Sequence, residues 1–170
     1  MAPKNVFPLR GDPGAADAVD RADTEREYAP PDNPLFTRVP DRGYIVGLVS
    51  CEKPELYTSF RWKTVWKIVE GPEAGKPLLF YIPALPPGSP PKPGYKMFGV
   101  YCVATTRRPP KDLWRRNPKS FLSGAFFEVR VGQVKRDFQG AEIPEPARYS
   151  VIRALVRRVD GVPRECQRQT

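Results

Sequence analysis

FRWKTVWKIVEGPEAGK, residues 60–76, sets two tryptophans among basic residues and follows them with a turn bracketed by glycines. Side chains alternate across a strand, so a period of two is the test. Phe60, Trp62, Thr64, Trp66 and Ile68 fall on one face, and Arg61, Lys63, Val65, Lys67 and Val69 on the other. The stretch reads as a strand with an aromatic face and a mostly basic face. The turn after it is not a nucleotide-hydrolase phosphate loop. Three residues separate Gly71 from Gly75, and Pro77 follows Lys76, so the GxxxxGK[ST] spacing is missing. EGPEAGK is read as a strand connection that needs glycine where φ is positive, with Lys76 at its edge within reach of a phosphate.

Working outward, GYIVGLVSCE before it is a first strand, with Tyr44, Val46 and Leu48 on one side. PLLFYIPAL is a third, ended by Pro83. Residues 83–93, PALPPGSPPKP, form a proline-rich loop with the composition of a polyproline II ligand segment, or of a stiff surface connection. YKMFGVYCVAT is predicted as another strand, with Phe98, Val100 and Cys102 opposite Met97, Tyr101 and Val103. PPKDLWRRNPKSFLSG offers one or two short helical turns, interrupted at Pro118 and ended by Gly124. AFFEVRVGQVKRD resumes the β pattern and DFQG is its turn. YSVIRALVRRV fits a strand by its β-branched content, with a helix as the alternative.

The chain has 170 residues, enough for one domain with a real core. Its 22 prolines argue against a helical bundle. Residues 1–42 carry six basic and eight acidic residues, so the remaining 128 hold a charge of +11 although the whole chain has only +9. Three domains of composition follow: a flexible acidic, proline-rich arm at 1–42, a folded domain at 43–160, and a basic tail at 161–170. The arm's acidity equips it to lie over the basic domain and compete with a ligand. Cys51, Cys102 and Cys166 form no CxxC pair, and there is no histidine, which removes the usual zinc finger and most histidine-dependent catalysis. Cys51 and Cys102 read as small buried hydrophobes. Without a secretory pattern or a run of eighteen apolar residues, the expected compartment is the cytoplasm, with no membrane partner.

Five or six strands with one short helical insertion before the penultimate strand suit a mainly β, OB-like (oligonucleotide-binding) barrel, which hides its sheet edges. The order GYIVGLVSCE, WKTVWKIVEGPEAGKPLLFYI, FLSGAFFEVRVGQVKRD and ARYSVI resembles small OB-fold-like single-stranded-DNA-binding proteins of phages and mobile elements. The shared features are an acidic end to the first strand, an aromatic second strand and the Gly71–Gly75 turn. Val129, Val131, Val134 and Asp137 follow on a later strand, and Tyr149 to Ile152 close the match, which covers roughly residues 43–155. The resemblance implies binding of single-stranded DNA. The proline-rich loop, RRPPKDLWRR and the arginine-rich tail depart from that pattern.

The residues themselves point to a polyanion. Arg61, Lys63 and Lys67 form the solvated face of the second strand, where backbone phosphates are natural ligands. Trp62 and Trp66 are core or, for one of them, a rim platform on which a stacked base is worth about 1–3 kcal/mol. Residues 107–119 hold six basic residues (Arg107, Arg108, Lys111, Arg115, Arg116, Lys119) and one acid. Trp114 stands among them, either stacking on a base or anchoring the segment. Arg130, Lys135 and Arg136 on a later strand extend the track, as do Arg153, Arg157 and Arg158 if the sheet curls, and Phe138 is a second stacking candidate. The carboxylates are scattered, with no nuclease-like spacing, so no enzyme and no cofactor are expected. The predicted function is binding of single-stranded nucleic acid with little base preference, by a protein expected to form homo-oligomers. The alternative is a non-enzymatic protein-interaction or structural part of a phage or mobile-element complex, engaged through residues 83–93 or the N-terminal arm.

Overall fold

The computed structural model describes residues 34–53, 61–137 and 139–160. They form a mainly β protein in which five strands close into one sheet in the order β1-β2-β3-β5-β4. The strands are β1 (Gly43–Glu52), β2 (Arg61–Ile68), β3 (Pro77–Pro83), β4 (Phe126–Val134) and β5 (Tyr149–Val159). All pairings are antiparallel except β3 with β5, which meet in parallel at Leu79 and Val151. YSVIRALVRRV is therefore a strand throughout. No helix among the described residues is long and apolar enough to cross a membrane.

Period-two alternation sets the core. Val46 and Ile68 lie opposite each other across β1 and β2, as do Trp66 and Leu78 across β2 and β3. These residues, with Phe80, Ile82, Phe127, Val129 and Ile152, are buried inside the closed sheet. Trp66 is fully buried, with its ring edge-on to Phe127 at 5.7 Å. Its indole N–H donates to Thr64 Oγ1 at 2.7 Å, and the Thr64 hydroxyl donates to the Phe80 carbonyl at 2.7 Å. That relay explains a threonine in the middle of an aromatic face, because a buried indole N–H needs an acceptor. Trp62, nearer the strand end, is only half-buried against the same core. Phe60 lies outside the described residues.

One element differs from the sequence expectation. YKMFGVYCVAT is not a strand: Lys96–Thr105 form a ten-residue helix, α1. Its buried residues Met97, Val100 and Ala104 recur at intervals of three and four, a helical stripe that the β-branched and aromatic composition conceals. Thr106 closes it in the left-handed region at φ 56°, its N–H donating to the Cys102 carbonyl. The 107–124 segment then gives a 3-10 turn at Leu113–Arg115 and a short helix, α2 (Lys119–Leu122), as Pro118 and Gly124 indicate. The β2–β3 turn uses Gly71 at φ 85° and Gly75 at φ 89°, where a side chain would be strained.

Residues 34–40 run along the seam where β3 and β5 share a single paired position. Thr37 donates from its hydroxyl to the Pro77 carbonyl on β3 and accepts from the Ser150 N–H on β5. Val39 is buried in the interior core, and its N–H and carbonyl both bond the Ser150 hydroxyl at 3.0 Å. The part of the acidic arm nearest the sheet is thus a strap fastened across it. Cys51 and Cys102 are free and half-buried rather than fully enclosed, and Cys166 lies outside the described residues.

Candidate nucleic-acid interface

The outer faces of β2 and β3 run in register: Arg61 opposite Pro83, Lys63 opposite Tyr81, Val65 opposite Leu79 and Lys67 opposite Pro77. The middle of this surface is apolar. Val65, Leu79 and Val151 are buried there, against Tyr81, Val134, Tyr149 and the strap residues Leu35 and Phe36. The Phe36 and Tyr149 rings lie 4.5 Å apart.

Beside this patch a cleft of about 520 Å³ opens, where the start of β2, the end of β3, the first residue of α1, the β4–β5 loop and β5 converge. Arg61, Lys96, Arg136 and Arg153 line it, with Tyr81 and Tyr149 as aromatic walls and Asp137 as its one carboxylate. Asp137 is directed at its own loop, where it accepts from the backbone N–H groups of Gln139 and Ala141. Lys96 is crowded: partial burial, then the neighbouring charges of Arg153 and Arg61, lower its ammonium pKa below the usual lysine value. Partial burial raises the Tyr149 hydroxyl, helped by Tyr81 and opposed by Arg153. An anion in this cleft would relieve like-charge repulsion and screen several cations together.

A larger cleft of about 630 Å³ lies elsewhere, beside the β2–β3 turn. Its arginines, Arg42 and Arg157, are matched by Glu70 and Glu128, and Arg157 bonds Glu128 at 2.6 Å. Charge balance makes it a poor anion site.

The residues singled out in the sequence are dispersed around these features. Arg61 and Arg136 meet in the cationic cleft. Lys63, on the same outer face, pairs with Glu52 at 3.3 Å, and Lys67 is exposed further along β2. Lys76 is paired with Glu73 in the turn. Arg130 is exposed on β4, and Lys135 is exposed just after it. Arg107, Arg108, Lys111 and Lys119 are exposed around the 107–119 segment, where Arg116 pairs with Asp112 at 3.6 Å. Phe138 lies outside the described residues. Arg158 donates to the Ala104 carbonyl, tying β5 to α1.

Trp114 is half-buried against the core, and the Arg115 guanidinium lies 4.6 Å from its ring centroid. One face of the indole is therefore occupied within the chain. Trp114→Ala should lower stability by about 2 kcal/mol, less than loss of a fully buried indole, and leave oligonucleotide affinity little changed. Parallel melting and binding measurements check this; a folded variant that fails to bind would show Trp114 to be a stacking residue.

Lys96, Tyr81 and Tyr149 were not among the sequence candidates. Lys96 was hidden by the strand reading of α1. The two tyrosines had a signal in the alternation of their strands, since Tyr81 sits opposite Lys63 on the basic face. No protein-family model matches the chain, and no curated protein or solved structure matches it.

Proposed function

We propose that this protein binds single-stranded nucleic acid, DNA in the first instance, with little base preference, and that its closed sheet is an OB-like barrel. The observation that carries the reading is the cleft that places Arg61, Lys96, Arg136 and Arg153 around Tyr81 and Tyr149. Cations for phosphates and rings for bases are the two components of sequence-tolerant single-strand binding. The strand order, the helical insertion between β3 and β4 and the parallel β3–β5 closure support the OB-like assignment. Lys63 and Lys67 on the same outer face would carry the strand away from the cleft, while the exposed cations of 107–119 add long-range attraction.

On this reading the strap has a direct consequence. Leu35 and Phe36 cover the apolar part of the face that would otherwise meet bases, and Phe36 already packs on the Tyr149 ring, so bases reach the surface beside them chiefly through Tyr81.

Tyr81→Ala is the variant that tests the aromatic half of the proposal. It should weaken binding of a labelled single strand by about 1–3 kcal/mol, with similar losses for thymine-rich and mixed sequences. Fluorescence anisotropy measures the loss and a thermal melt confirms folding. Unchanged affinity would remove Tyr81 from the interface. Absence of binding to any oligonucleotide in low salt would favour the protein-interaction role instead.

A further inference from the structure

We infer that two adjoining clefts, which share Lys96 and Arg153 as a common wall, form one seat for the phosphorylated end of a strand. The terminal phosphate would lie on the cations and its base in the second cleft. This deepens the nucleic-acid reading and rests on it.

The second cleft, about 320 Å³, lies between the start of α1 and β5. Its walls differ from those of the first. Tyr95 and Leu155 give it an apolar lining, with the buried Phe80 and Val100 at its floor. Gly94 and Gly99 line it, and a Cβ at either would meet no atom within 4 Å, so each position has room for a side chain. The Lys96 ammonium, 4.1 Å from the Phe80 ring centroid, stands between the two compartments. One side is cationic and the other apolar and aromatic, which is the polarity of a nucleotide unit.

Charge selects the end of a strand over its interior. An internal phosphodiester brings a single negative charge, whereas a terminal phosphomonoester carries about −1.5 to −2 at neutral pH. The first cleft offers four cations against one carboxylate. Among the described residues, no ion pair joins Arg61, Lys96 or Arg153 to an acid. The excess matches the more highly charged group.

The test uses the full chain and internally labelled oligothymidines of about 15 nucleotides, near the upper site size of one OB module. One carries a 5′-phosphate, one a 3′-phosphate and one neither. Anisotropy should show one phosphorylated end binding about tenfold tighter than the unphosphorylated strand, the scale of one charge-assisted contact. Lys96→Gln should shrink that ratio towards one. Gly99→Leu should do the same by filling the apolar cleft, while binding of the unphosphorylated strand is kept. The helix should not suffer, since leucine is the better helix former. Thymidine monophosphate, but not thymidine, should compete for the phosphorylated end.

Equal affinities for the three strands would overturn this inference and leave single-strand binding standing. A full phosphate advantage in folded Gly99→Leu would overturn the placement of the base. If thymidine monophosphate bound while no oligonucleotide did, the seat would stand as a nucleotide site and the single-strand function would fall.

Discussion

Trp66→Ala should cost the fold about 3–5 kcal/mol, read as a fall in the denaturant midpoint. The side chain is fully buried, meets Phe127 edge-on and places its N–H on Thr64. Its removal loses apolar burial, leaves a cavity at the centre of the closed sheet and strips one donor from a buried hydroxyl. Small domains have about 5–15 kcal/mol in total, so this variant would sit near the limit of folding. Trp62→Ala should cost clearly less, because that ring is half-buried at the strand end. Equal costs for the two, or a Trp66 loss below about 1 kcal/mol, would contradict the placement of the core.

The combined variant Arg61→Gln, Arg136→Gln and Arg153→Gln should weaken single-strand binding by about 3 kcal/mol or more, on the order of a hundredfold. The three side chains come from β2, the β4–β5 loop and β5, and they converge on one cleft. All three are exposed, so the melting temperature should change little. The control is Arg42→Gln with Arg157→Gln, in the cleft where glutamates balance the arginines. That control removes two charges from the same protein, and removing them should leave affinity nearly unchanged. Losses in proportion to the charges removed, three against two, would mean that net charge alone, and no particular site, attracts the ligand.

The strands were legible because their side chains alternate cleanly. Trp62, Thr64, Trp66 and Ile68 turn inward and Lys63 and Lys67 outward, as the period of two dictates. The turns were legible through glycines at positive φ and prolines at element ends. Helix α1 was not, because Tyr101, Cys102 and Val103 satisfy a strand pattern locally. Only the packing of Met97, Val100 and Ala104 on the sheet decides for a helix. The candidate site was half legible. Composition marks Arg61 and Arg136 as cations, but their meeting with Lys96 and Arg153 depends on the closure of β3 against β5, a long-range pairing with no local signature. The cluster at 107–119 is marked in the sequence by its charge and by Trp114, but no local pattern shows that Arg115 lies over the Trp114 ring or that Arg116 pairs with Asp112.

A cationic cleft that binds the phosphates of a single strand must release counterions as it does so. The direct measurement is the affinity of the full chain for a labelled oligothymidine, by anisotropy, across a series of salt concentrations. Each neutralised phosphate contributes about −0.7 to the slope of log affinity against log salt, so three to four cleft cations predict a slope of about −2 or steeper. The variant lacking Arg61, Arg136 and Arg153 should give a visibly shallower line. Affinity that does not respond to salt, or no binding at the lowest salt, would contradict the account.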